Sequence, residues 1–148
     1  MTMFQRAKRN GPPLIWFIER WVRECEANPI PSHNKWISNN WARIYLRYGP
    51  VFVEGEIVRP ALQIANITVS ERRRGQGYYV RLLQRLINLC RVHNIPVLYV
   101  ENVMEPRFAQ FHAQMGFHVK PGSNPPCFYC FVEKGLPKLA TRAKAKVR

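Results

Sequence analysis

Ile67-Thr68-Val69-Ser70-Glu71-Arg72-Arg73-Arg74-Gly75-Gln76-Gly77-Tyr78-Tyr79 reads as a strand that ends in a glycine-rich turn and opens directly into a helix. Ala61 to Val69 is β-branched and apolar enough for a buried strand. Gly75 and Gly77 permit a tight turn and leave backbone N–H groups uncovered. From Val80 onward the apolar residues Leu83, Leu86, Ile87 and Cys90 recur at helical spacing. Such a turn sets N–H groups at the positive end of a helix dipole, which is a seat for phosphate. Three consecutive arginines stand at its lip. A pyrophosphate-bearing ligand is the natural guest.

Working outward, Thr2 to Lys8 reads as a short first strand, broken by Gly11-Pro12-Pro13. Leu14, Phe17, Ile18, Trp21, Val22 and Cys25 then form the apolar stripe of an amphipathic helix. Asn28-Pro29-Ile30-Pro31 ends it, and Ser32 is positioned to cap a short second helix through Ser38. Trp41 to Tyr48 alternates as a strand, with Gly49-Pro50 as the turn and Val51 to Val58 as the hairpin partner. Downstream come a helix from Tyr78 to about Val92, a strand Val97 to Val100, and a helix from Pro106 to Met115. Strands Phe117 to Lys120 and Cys127 to Val132 complete the chain.

Arg74-x-x-Gly77, preceded by the strand to Val69 and followed by a helix carrying Leu82-Leu83, resembles the acyl-CoA site of the GNAT N-acyltransferase superfamily. The family pattern is Arg or Gln, two residues, Gly, one residue, then Gly or Ala; here Tyr79 stands last. The strand at Pro96 to Val103, the helix from Pro106 and the closing Gly116-Phe117 extend the likeness. It implies an α/β (α+β) fold: a mixed, mostly antiparallel sheet with a splayed parallel strand pair and helices on both faces. It implies a single domain over residues 1–133, followed by a basic tail over 134–148. The implied activity is transfer of an acyl group from acetyl-CoA, or another acyl-CoA, to an amine on a protein or small molecule.

The resemblance also assigns residues. Gly75, Gln76, Gly77, Tyr78 and Tyr79, with Arg72 and Arg74, would hold the pyrophosphate. Ile67 and Val69 match the strand positions that pair with the pantetheine arm, and Asn102 lies beyond the opposing strand. Where many members carry a tyrosine as acid for the leaving thiolate, this chain has His112, which can donate near neutral pH. The strand position of the usual glutamate is Gln63, which cannot act as a base; Glu101 is the preferred substitute, with Glu54 or Glu56 behind it.

The chain has 148 residues, one domain by default, with 23 Lys+Arg against 9 Asp+Glu, a net charge of +14. Every acid is a glutamate, which removes Asp-dependent triads and Asp-rich metal sites. Lys134, Lys138, Arg142, Lys144, Lys146 and Arg148 load the tail with no acid after Glu133. This balance disfavours polycationic acceptors and favours acidic partners or nucleic acid. Cys127 and Cys130 form a lone CxxC, read as strand residues and not as a metal site. No apolar run approaches membrane-span length, so a soluble, cytoplasmic protein is expected. Two other readings stay open. One is a catalytically degenerate binding or structural module, prompted by the departures at Gln63, Tyr79 and His112. The other is a nucleic-acid-associated protein in which Trp36, Trp41, Arg43, Tyr45 and Arg47 interleave rings and charges as a stacking surface does; the plainer reading of the same residues is an exposed sheet face of Trp41, Arg43, Tyr45 and Arg47, with Trp36 in the core.

Overall fold

The computed structural model describes residues 12–75 and 77–133. The first expected strand, Gln76 and the basic tail lie outside them. Helix α1 (Leu14–Ala27) starts after Pro13, buries Leu14, Ile18, Trp21, Val22 and Cys25, and stops at Asn28. The expected short helix at Ser32 to Ser38 is instead strand β1 (His33–Ser38). It pairs antiparallel along its whole length with β2 (Ala42–Val53), from His33↔Tyr48 to Ser38↔Arg43. Cross-strand pairing overrides a weak local preference here.

The hairpin turn also falls elsewhere. Strand β2 runs through Gly49-Pro50 to Val53, and β3 (Glu56–Val69) returns after a two-residue turn at Glu54 and Gly55. Both turn residues have positive φ, 52° and 79°, which matches the twist of a tight hairpin. Gly49-Pro50 is absorbed as a slip in the β2–β3 register, where a missing N–H is tolerated. A side chain at Gly49 would lie 3.0 Å from the Pro31 carbonyl oxygen, so the chain passes too close for anything larger. A second slip sets Tyr45 and Leu46 against Asn66 and Ile64 and leaves Ala65 as an extra residue in β3.

Helix α2 (Tyr78–Val92) crosses over to β4 (Val97–Val100), which pairs parallel with β3 from Ala61↔Val97 to Ile64↔Val100. Helix α3 (Pro106–Gln114) follows, capped by the Glu105 carboxylate on the Phe108 amide at 2.7 Å. Strands β5 (His118–Val119) and β6 (Phe128–Phe131) complete a six-stranded sheet of order β1-β2-β3-β4-β6-β5. Its pairs are antiparallel except for β3 with β4, as the resemblance implied.

The helices among the described residues gather on one face of the sheet. The apolar residues of α1, α2 and α3 all join one cluster with Ile44, Leu46, Leu62, Ile64, Leu98 and Phe128. The cluster on the other face, around Val51, Ala61, Val97, Tyr99 and Tyr129, contains strand and loop residues only. The reason lies in the strands: one face alternates Ile, Leu and Val, whereas the other presents Arg43, Tyr45, Arg47 and Gln63, which give a helix no apolar seat. Trp36 is on that second face and 44% exposed, not in the core.

Leu83, fully buried in the middle of α2, is a test of the helix-bearing face. Leu83→Ala is expected to cost about 2–5 kcal/mol. Urea unfolding should show it as a lowered midpoint at unchanged slope.

Candidate active site at the strand fork and glycine turn

Strand β3 outlasts its parallel neighbour. The last pair is Ile64↔Val100, sealed by the Glu101 amide donating to the Ile64 carbonyl at 2.9 Å. The chain then turns away at Asn102, which takes a left-handed φ of 45° and is pinned by its amide to Cys127 Sγ at 3.4 Å. Strand β3 continues from Ala65 to Val69, held on its other side by β2 through Ala42↔Val69. Just beyond Val69, the Ser70 amide points to that other side and donates to the Trp41 carbonyl at 2.7 Å. By alternation, the main-chain groups of Val69 and Ile67 face the fork. The bulge at Ala65 sets this phase, since without it Asn66 and Thr68 would face the fork instead. An extended ligand arm with amide groups can pair with such an edge.

The turn continues from that edge. Glu71–Arg73 makes one turn of 3-10 helix, and the Arg74 Nε–H reaches back to the Val69 carbonyl at 2.8 Å. That bond closes the loop and takes one of the four main-chain groups at Ile67 and Val69, while the rest of the guanidinium fork remains for an anion. Gly75 and Gly77 have φ of 76° and 71°, and Gly77 is the N-cap of α2. A side chain at Gly75 would meet nothing within 4 Å, so glycine is needed there for the backbone angle and not for space. Helix α2 has no side-chain cap and no acid in its first turn, so nothing of its own neutralises the positive end of its dipole. Arg72 and Arg74 are exposed beside it; Gln76 lies outside the described residues.

Tyr79, the departure from the family pattern, turns its ring onto α3. The ring centroid is 5.0 Å from Phe108 and 5.8 Å from Phe111, so the ring packs there instead of over the turn. Tyr78 packs edge-on against Trp41 at 5.8 Å. The Tyr79 hydroxyl lies 2.8 Å from His112 Nε2, and His112 Nδ1 lies 2.8 Å from the Phe108 carbonyl. A carbonyl only accepts, so Nδ1 carries the proton and Nε2 accepts from Tyr79. His112 is completely buried, and burial lowers its pKa from 6.5 to about 4. Burial likewise raises the Tyr79 phenol above its ordinary value. His112 is therefore a neutral acceptor behind Tyr79, a role its sequence position did not disclose. The signal was available: the two departures, Tyr79 and His112, occur together.

Glu101 stands at the fork, its side chain 14% exposed, with one carboxylate oxygen 3.7 Å from Arg47 Nε. Asn102, also at the fork, has its Oδ1 3.6 Å from Cys127 Sγ. Glu54, in the hairpin turn, and Glu56, just after it, lie at the opposite end of β3, roughly 25 Å or more along an extended strand from the fork, and do not belong to the site. Gln63 is buried, with its amide 3.5 Å from the Pro50 carbonyl. Cys127 and Cys130 are buried in clusters on opposite faces of the sheet, so they cannot share one ligand. Among the described residues no helix is long and apolar enough to cross a membrane.

The depressed pKa of His112 makes stability depend on pH. Between about pH 4 and 6.5 the unfolded chain binds more protons at this site than the folded one, so stability rises with pH across that window. The contribution is complete above pH 6.5 and lost as pH falls toward 4. Melting temperatures measured across this window should decline toward acid, and His112→Phe should flatten the decline.

No family model and no curated protein matches the chain. Solved structures do. The AtaT toxin bound to the C-terminus of the antitoxin AtaR and acetyl-CoA is 15% identical, with 76% of this chain and 74% of that one covered at a TM-score of 0.54. AtaT complexed with acetyl-methionyl-tRNAfMet is 13% identical over 81% of each chain, with a TM-score of 0.55. The KacTA–DNA complex is 12% identical over 86% of each chain, with a TM-score of 0.52. With its fork between two parallel strands, its glycine turn and these neighbours, the chain has the fold of the GNAT acyltransferase superfamily.

Proposed function

We propose that the protein is an acyl-CoA-dependent N-acyltransferase, with acetyl-CoA as the first candidate donor. The observation that carries this reading is the open β3 edge at Ile67 and Val69, leading without a break into an uncapped helix N-terminus flanked by Arg72 and Arg74. One continuous ridge of backbone donors and acceptors suits a pantetheine arm that ends in a pyrophosphate. Neighbours of the same fold that were caught with acetyl-CoA support the same donor.

In this reading Ile67 and the Val69 amide align the arm, and Gly75, Gln76, Gly77, Tyr78 and Tyr79 hold the diphosphate through main-chain N–H groups with Arg74 and Arg72. Asn102, anchored to Cys127, borders the thioester end. Glu101, at the fork and in contact with Arg47, takes the proton from the attacking amine, directly or through water. The amine nitrogen bonds to the acyl carbon, the carbon–sulfur bond breaks, and the thiolate leaves and takes a proton from solvent water. His112 acts on the site through Tyr79: by accepting the phenol's hydrogen bond it holds that ring on α3 and clear of the turn that takes the diphosphate. The acceptor is an amine; the neighbour bound to acetyl-methionyl-tRNAfMet makes an aminoacyl-tRNA amine the one to try first.

Calorimetric titration with acetyl-CoA should show saturable binding, and Gly77→Glu should abolish it by placing bulk and negative charge at the phosphate seat. Gly77→Asn, which tolerates the left-handed backbone, controls for loss of fold. Absence of heat for the parent protein at high micromolar acetyl-CoA would remove the enzyme reading. In assays of thiol release from acetyl-CoA with aminoacyl-tRNA or simple amines, Tyr79→Phe and His112→Phe, which release the ring to swing over the phosphate turn, should each slow turnover at subsaturating acetyl-CoA about tenfold. Because the two residues form one unit, the double variant should be no slower than the worse single one.

A further inference from the structure

The sheet face that no described helix covers carries a ladder of alternating rings and guanidinium groups. Trp36 on β1 stands opposite Tyr45 on β2, with ring centroids 4.9 Å apart and planes tilted by 32°. The Arg43 guanidinium lies 4.1 Å over the Trp36 ring, and that of Arg47 lies 5.6 Å over Tyr45. Trp36 is 44% exposed, and the Arg47 side chain is 45% exposed. Strands β1 and β2 contain no acidic residue. Among the described residues no carboxylate pairs with Arg43, and Arg47 meets only Glu101, at a loose 3.7 Å.

We propose that this face binds single-stranded nucleic acid, with bases stacked on Trp36 and Tyr45 and phosphates held by Arg43 and Arg47. Three observations select this occupant. The face is both aromatic and cationic, so an apolar helix would leave two arginines buried without partners, whereas a nucleic acid satisfies rings and charges together. The rings are preassembled on paired strands, which lowers the entropy lost on stacking. The sequence after Glu133, rich in Lys and Arg and without an aromatic residue, has the same sign of charge as the face and so does not complement it. A duplex hides its base faces, so the ladder selects unpaired strands. The proposal goes beyond acyl transfer and stands without it.

The test uses the full chain and fluorescence anisotropy with labelled oligouridylate and oligothymidylate of about twenty nucleotides, and a duplex of equal length. Both single strands should bind more tightly than the duplex. Trp36→Leu and Tyr45→Ala should each weaken single-strand binding about tenfold while leaving the salt dependence unchanged. Arg43→Gln should weaken binding and reduce the slope of log affinity against log salt by about one. Tyr45→Phe, which keeps the ring, should bind as the parent does, and it preserves the test if Tyr45→Ala fails to fold. Affinities of Trp36→Leu and Tyr45→Ala within about twofold of the parent would overturn the proposal, because they would assign binding to unspecific charge such as the tail. Displacement of the strand by polyglutamate at equal charge would overturn it in favour of an acidic protein partner.

Discussion

The parting of β3 from β4 after Ile64 and Val100 is the constraint on which the site depends. Parallel strands in a closed sheet consume each other's main-chain groups. Here the consumption stops after Ile64 and Val100, because the chain past β4 turns away at the left-handed Asn102, tied to Cys127, while β3 is carried onward by β2. The bulge at Ala65 then selects which residues face the gap. An exposed strand edge is ordinarily a hazard for misassociation. Here it is confined to the few residues between Ile64 and the turn and bordered by the charged Arg72 and Arg74.

Packing supports the site from one side only. All three described helices crowd the Ile- and Leu-bearing face, and this fixes the N-terminus of α2 against α3. The Tyr79–His112 hydrogen bond is the polar link within that packing, and the ring cluster of Phe108, Phe111, Phe117 and Phe128 around His112 makes the link dry. A dry surround explains why the imidazole stays neutral and why its hydrogen bond holds Tyr79 on α3. The other face carries charge and aromatic rings, and from it Arg47 reaches Glu101 at the fork.

Long periodic segments were readable from residues alone. Helix α1 follows the stripe from Leu14 to Cys25, and α2 follows the run from Val80 to Cys90, because helical spacing of apolar residues has one solution when a single face is buried. The strand at Val97 to Val100 and the helix at Pro106 were equally plain. The short segment at His33 to Ser38 was not: its six residues carry one buried side chain, Ile37, and only pairing with β2 decides its shape. Gly49-Pro50 looked like a turn because both residues usually punctuate; the long hairpin absorbs them as an irregularity, since the tighter turn at Glu54-Gly55 fits the strand twist better.

Sequence by itself determined the glycine turn, the helix it opens, the arginines beside it and the surplus of positive charge, because each is a local property of neighbouring residues. Tertiary structure alone decided which backbone groups of β3 face the fork, that Tyr79 and His112 hold each other across 33 residues, and that Trp36 lies in the open beside Tyr45. Those facts depend on register and on packing between distant segments, and a one-residue slip in register inverts every one that a strand carries.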